Sequence, residues 1–393
     1  MSTGHLRQTG PAFVPFARPT MGDAEIMAVT DVVESGWLTT GPRVKAFEAA
    51  FARHIGAAEA VAVNSCTAGL HLALLASGVG AGDEVITSPL TFCATANTVL
   101  HAGGTPVFVD VDKATGTMSV DATRAALTPR TRAIMPVHYA GRPADPLAFR
   151  ALADRHGARL VEDAAHCVDA SVHGRRIGTI ADFTAFSFYS TKNLATGEGG
   201  MVTTASAEDA DWMRVAALHG LSRDAWARYA PGAPAHYDVV MAGWKYNMMD
   251  LQAALGLAQL DRLETMQAHR ERLWARYEEG LADLPLVRAA AVPAGWTHAR
   301  HLYTVHVVPE RCGWTRDDLQ AALGREGIGT SVHFRALHLH TYYAERFSLA
   351  RGMFPNAEYH SDTSLSLPFW GGMAMRDVDR VVETLERLLT RGA

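Results

Sequence analysis

The sequence predicts an α/β protein, with a large domain on a mostly parallel sheet and a smaller α+β domain behind it. Three observations carry this. Short apolar strand-like runs alternate with helical patterns through the first two thirds of the chain, and repeated βα units joined by short loops build parallel sheets covered on both faces. Near Asp250 the alternation stops and a long tract rich in Leu, Ala, Arg and Glu begins. The chain has 393 residues, 48% hydrophobic and 20% charged, enough for two domains of ordinary globular composition.

The elements follow in order. Residues 44–55 set Val44, Phe47, Phe51 and Ile55 on one helical face. Residues 60–63 are a short β-type run, followed by Ser65-Cys66-Thr67 and a helical pattern over 68–77. GDEVITSP reads as a strand ending before Pro89, 91–101 as a helix and TPVFVDVD as a strand. Residues 121–127 are helical, RAIMPVHY is a strand, 146–156 are helical, and ARLVEDAAH is an apolar strand with an acidic far end. FTAFS is a further strand. Residues 251–281 form a long helical tract with room for one break. After it come an alternating strand at 302–308, a helix at 316–326, a strand near Ser331 and a last helix at 377–389. The domain boundary is expected near residue 262, giving a large domain over 1–262 and a small one over 263–393.

Lys and Arg total 36 against 41 Asp and Glu, a formal net charge of −5. That argues against nucleic acid and anionic membranes as partners, since both are bound through a basic surface. Residues 1–20 carry no apolar core of signal-peptide length. Residues 60–82 are free of Asp, Glu, Lys and Arg, but Asn64, Ser65, Thr67, His71 and four glycines divide the stretch into a strand and a helix rather than a membrane span. Cys66, Cys93, Cys167 and Cys312 form no CxxC pair, which fits a reducing cytoplasm. Only Lys45, Lys113, Lys192 and Lys245 offer a primary amine.

Ligands of open parallel sheets bind beyond the carboxyl ends of the strands. Three such ends here are unusual. VAVNSCTAGLHLALLASG is a strand, a turn of small residues and a helix, and a helix N-terminus suits a phosphate. The same pattern is also an ordinary Ser/Thr cap. LVEDAAH ends on Asp163 and His166. FTAFSFYSTKNLATGEGGMV places Ser187, Tyr189 and Lys192 between an apolar strand and a glycine-rich turn, where desolvation frees an amine as a nucleophile. Lys45 lies off the apolar face of its helix and Lys113 in a turn, whereas Lys245 in GWKYNMMD is a true rival. An amine, a carboxylate and an amide-rich phosphate cup are the three needs of pyridoxal phosphate, and Phe92 adds a flat apolar group at a further strand end.

GDEVITSPLTFCATAN, PVFVDVD, PVHYAGRPAD, VEDAAH, FSFYSTKN, GEGG and KYNMMDLQAALGLAQL resemble the DegT/DnrJ type of pyridoxal-phosphate sugar aminotransferases over nearly the whole chain. FARPTMG, ESGWLTTGP, ERCGWTRDDL, GIGTSVHFRALH and YYAERF resemble the branch that aminates a UDP-4-keto-pentose. The resemblance implies the fold-type I aminotransferase architecture, a homodimer with sites at the interface, L-glutamate and 2-oxoglutarate as the donor pair, and a keto-sugar nucleotide as acceptor. It implies that Lys192 binds the cofactor covalently and that Asp163 pairs with its ring nitrogen. Thr67, Ala68 and Ser187 hold the phosphate, joined by Asn247 of the partner subunit. Phe92 stacks on the ring, His166 lies beside it, and His333, Arg335 and Tyr189 face the substrate. Lys192 marks an aminotransferase, since the family's dehydratases carry histidine there. Cys66 stands where many relatives have Gly or Ala. Tyr189, Ser190 and Thr191 depart from the pentose branch and leave the sugar open, with another keto-sugar nucleotide or a keto-cyclitol as alternatives. A ligand sensor without turnover is the non-enzyme alternative. His333, His338 and His340 lack carboxylate or thiolate partners at ligand spacing, so no metal is expected.

Overall fold

The structure, a computed structural model, describes residues 13–222 and 237–390. Helices α1 (Asp23–Ser35) and α2 (Pro42–Ile55) precede β1 (Glu59–Val63), α3 (Cys66–Ala76), β2 (Glu84–Thr87), α4 (Cys93–His101) and β3 (Thr105–Phe108). Then come α5 (Val120–Ala126), β4 (Thr131–Met135), α6 (Pro146–His156) and β5 (Arg159–Asp163). A small hairpin, β6 (Ser171–Val172) and β7 (Arg175–Arg176), leads to β8 (Phe183–Ser187), β9 (Gly200–Thr204) and α7 (Ala207–Ala216). Seven of these strands form one sheet in the order β1-β9-β8-β5-β4-β2-β3, in which β9 alone runs against the rest.

Period-two alternation loads both faces of this sheet. Val61 and Val63 of β1 pack with Leu70 and Leu74 of α3 and Met213 of α7. Ala60 and Ala62 point the other way, into the core of Phe47 and Phe51 from α2 and Phe186 from β8. The uncharged stretch around α3 is therefore a buried strand and helix, and no helix among the described residues is long and apolar enough to cross a membrane.

The tract after Asp250 is one unbroken helix, α8 (Asp250–Gly280). It contains no proline, so nothing in it removes a backbone donor. The Asp250 carboxylate also accepts from the Arg43 and Val44 N–H groups at 3.1 and 3.0 Å, which caps α2 from outside. Beyond α8 lie β10 (Val287–Arg288), β11 (Trp296–Thr297), β12 (Tyr303–His306), α9 (Pro309–Cys312), α10 (Arg316–Arg325), α11 (Thr341–Phe347), α12 (Pro355–Thr363), β13 (Ser364–Leu367) and α13 (Met375–Thr390). β10, β12 and β13 form an antiparallel sheet over a core shared with Leu273 and Tyr277 of α8 and Val378, Val381 and Leu385 of α13. The strand expected near Ser331 reduces to one reciprocal pair of bonds with Ser366. After that pair the chain turns and sends His333 into the cavity described next.

Candidate active site

The carboxyl ends of β1, β5 and β8 and the start of β9 meet at one edge of the large sheet. There they border a cavity of about 520 Å³, closed from the other side by His301, His333 and Phe334. Gly200 pairs with both Val63 and Ser187 at this edge. A Cβ on it would lie 2.6 Å from the Cys66 nitrogen, so only glycine lets β9 pass beneath the turn into α3.

The structure brings together Thr67, Phe92, Asp163, His166, Ser187, Tyr189, Lys192 and His333, all of which line this cavity. Cys66 and Thr67 form the first turn of α3, where N–H groups have no intrahelical acceptor. The Ala68 N–H, by contrast, donates to the capping Ser65 hydroxyl at 3.1 Å. Arg335 stays outside, with Nη2 donating to the Leu339 carbonyl at 2.8 Å. Asn247 is also outside the cavity. It accepts from Lys245 Nζ at 2.6 Å and donates to Thr40 Oγ1 at 2.6 Å. Lys245 is exposed.

Asp163 is 6% exposed, and burial pushes its carboxyl above the ordinary aspartate value. Two donors hold it, the Thr95 hydroxyl on Oδ2 at 2.7 Å and the Ala165 N–H on Oδ1 at 3.1 Å. Lys192 is half-buried and desolvation pulls its ammonium down to about 8, against the opposite pull of Cys66 and Asp163. His166 and His301 sit well below the ordinary histidine value because of burial, and His333 falls to about 4 for the same reason, each pushed further by Lys192.

Several members of the site carry no mark in the sequence. The His301 ring packs tilted against His166, with centroids 4.4 Å apart, and its Nδ1 lies 3.0 Å from Asn193 Oδ1. Asn193 Nδ2 donates to the Ala299 carbonyl at 2.6 Å. A carbonyl only accepts, so the amide oxygen faces His301 and the ring proton is on Nδ1. Thr91 and Thr95 lie four positions apart across the start of α4, and no strand-end pattern marks Thr95.

Pyridoxal phosphate fits this donor set. A half-buried amine, a buried carboxylate and the open first turn of α3 border one cavity, and the buried Nδ1 of His166 has no hydrogen-bond partner among the described residues.

The DegT/DnrJ/EryC1/StrS aminotransferase family model matches residues 19–386. Over 384 residues the chain is 50% identical to the spore coat polysaccharide biosynthesis protein SpsC of Bacillus subtilis (strain 168), which covers 97% of this chain and 98% of that one. Spr1654 of Streptococcus pneumoniae, solved in its PMP-form, superposes with a TM-score of 0.90 at 32% identity over 96% of this chain and 99% of that one. Its PLP-form gives 0.89. DesI, solved in the presence of its TDP-sugar product, gives a TM-score of 0.85 at 33% identity over 98% and 95% of the two chains. On this evidence the chain belongs to the DegT/DnrJ/EryC1/StrS aminotransferase family and is a fold-type I sugar aminotransferase dependent on pyridoxal phosphate.

Proposed function

We propose that the chain transfers an amino group from L-glutamate to a nucleotide-linked keto sugar, at carbon four of a UDP-4-keto-pentose or a related 4-keto sugar. The observation that carries the reading is the meeting of Lys192, Asp163 and the first turn of α3 around one cavity whose rim holds Tyr189, Thr191 and His333. The name of SpsC, a spore coat polysaccharide biosynthesis protein, supports a product destined for a polysaccharide. The TDP-sugar product held by DesI supports a nucleotide on the acceptor.

When bound, pyridoxal phosphate supplies an aldehyde for amines and a protonated ring that draws electrons from the neighbouring carbon. Lys192 Nζ, with a pKa of about 8, is partly neutral at working pH and carries protons to and from the reacting carbon. Asp163 accepts the ring nitrogen's proton as a hydrogen bond and holds the positive charge there. The amides of Cys66 and Thr67 and the Ser187 hydroxyl hold the phosphate at the positive end of α3. Phe92 and His166, which both line the cavity, would flank the ring. His333, neutral, faces the sugar as a hydrogen-bonding group. Asn247 of the partner subunit completes the phosphate site in a homodimer. A second copy has a surface to cover, because Ile26, Met27 and Val33 of α1 are 63%, 66% and 57% exposed. Four free cysteines accord with work in a reducing cytoplasm.

The test is optical. Protein reconstituted with pyridoxal phosphate should be yellow and lose its visible band on adding L-glutamate. A panel of 4-keto and 3-keto nucleotide sugars should then restore the band, fastest with the true acceptor. A visible band indifferent to L-glutamate would remove the donor assignment.

A further inference from the structure

The partner of a protonated ring nitrogen has to be ionised, yet burial pushes Asp163 toward its neutral form. Two donors oppose this. The Ala165 N–H belongs to the backbone of the turn and is present whatever the side chains are. The Thr95 hydroxyl is a choice of residue, brought from α4 to Asp163 Oδ2 across 68 positions of sequence. Thr95 is fully buried and its Oγ1 lies 2.7 Å from Thr91 Oγ1. An ionised carboxylate only accepts, so the single hydroxyl proton of Thr95 goes to Asp163. The proton between the two threonines then comes from Thr91. The chain from Thr91 through Thr95 to Asp163 runs in one direction, and each donor polarises the next.

The other titratable groups facing Asp163 are Lys192, His138, Cys66 and Cys167. Lys192 changes its protonation as it works, so its field on Asp163 varies through the cycle. The Thr95 hydroxyl does not titrate, so its contribution does not follow the protonation of Lys192.

We propose that Thr95 is a positioning residue that keeps Asp163 ionised and aimed at the ring nitrogen of pyridoxal phosphate, with Thr91 setting the direction of its hydroxyl. The inference rests on the role of Asp163 in the proposed function.

Thr95→Val removes the hydroxyl at nearly constant volume, and Thr95→Ser keeps it. The full chain and both variants are titrated with pyridoxal phosphate and with its 1-deaza analogue, in which C–H replaces the ring nitrogen. Thr95→Val should bind pyridoxal phosphate about ten-fold more weakly and lose at least as much kcat, the scale of one hydrogen bond to a charged group. Thr95→Ser should stay within about three-fold of the parent on the same scale. The parent and Thr95→Val should bind the 1-deaza analogue alike. Equal losses for both ligands would show that Thr95 only shapes the pocket, and the inference would fall alone. A parent that binds neither ligand would overturn the functional reading and the inference with it. If valine prevents folding, Thr91→Val carries the test, with a smaller loss for pyridoxal phosphate and none for the analogue. Equal losses again overturn the inference.

Discussion

Lys192 differs from Lys245 by burial. Desolvation pulls Lys192 down to about 8, whereas Lys245 is exposed and donates to Asn247 Oδ1. Lys192→Ala should therefore abolish turnover and the visible band of the reconstituted protein, while Lys245→Ala keeps the band. An absorbance scan of both variants decides, and the reverse pattern would transfer the covalent role to Lys245. The place of Lys192 at the cavity was legible in sequence because only four lysines exist and only one follows an apolar strand and precedes a glycine-rich turn. Thr67, Phe92, Asp163 and Ser187 were legible for the same reason, since each sits at or just past a strand end. His301 and Thr95 were not. His301 reaches the cavity through bonds from Asn193 to the 299–301 segment, and Thr95 reaches Asp163 across two elements that are distant in sequence. No local pattern encodes either contact.

Among the elements, α2 and α8 meet through a glycine. A Cβ on Gly256 would lie 2.5 Å from Phe47 Cζ, and the Phe47 ring is itself held against Phe51 and Phe188. Alanine is a better helix former than glycine by about 1 kcal/mol. Overpacking a filled core costs about 1–3 kcal/mol, so the clash should win. Gly256→Ala is expected to lower stability in a urea or thermal melt, and an unchanged or raised midpoint would mean that Phe47 has room to move. The same contact explains which helices the sequence revealed. α2 buries Val44, Phe47, Phe51 and Ile55, a clear 3.6-residue period. α1 buries Glu25 and Val32 and exposes Ile26, Met27 and Val33, so its pattern points away from any core of its own chain. Glu25 is held instead by Arg262 and Gln259 of α8, a tertiary arrangement that periodicity does not register.

At the scale of the whole molecule, α8 joins a core under the large sheet to the C-terminal core. Leu263 and Met266 of α8 join the core under the large sheet, and Leu273 and Tyr277 join the C-terminal core. Residue 262, the expected domain boundary, therefore lies inside a continuous helix that runs from one core to the other. The C-terminal part is rich in buried histidine. His306 on β12 is 3% exposed, bonds Thr363 Oγ1 through Nδ1 at 2.9 Å, and packs on the His360 ring at 4.6 Å. Burial and then His360 bring its pKa down to about 3. His298 and His301 lie well below the ordinary value, and His360 lies below it as well. In the unfolded chain these rings titrate near 6.5. Below that pH the unfolded state binds protons that the folded state refuses, so stability rises with pH through this window. It is fully present above about 6.5 and is lost as pH falls toward the folded values, by up to about 1.4 kcal/mol per pH unit for each such ring. Thermal melts should therefore show a lower Tm at pH 5 than at pH 7. His306→Gln, which keeps an amide beside Thr363 but has no proton to gain, should make that fall shallower even if it lowers Tm at pH 7. An equal slope in the variant would mean that His306 already exchanges its proton in the folded state, and a Tm that holds from pH 7 to pH 5 would remove buried histidine as the source of acid sensitivity.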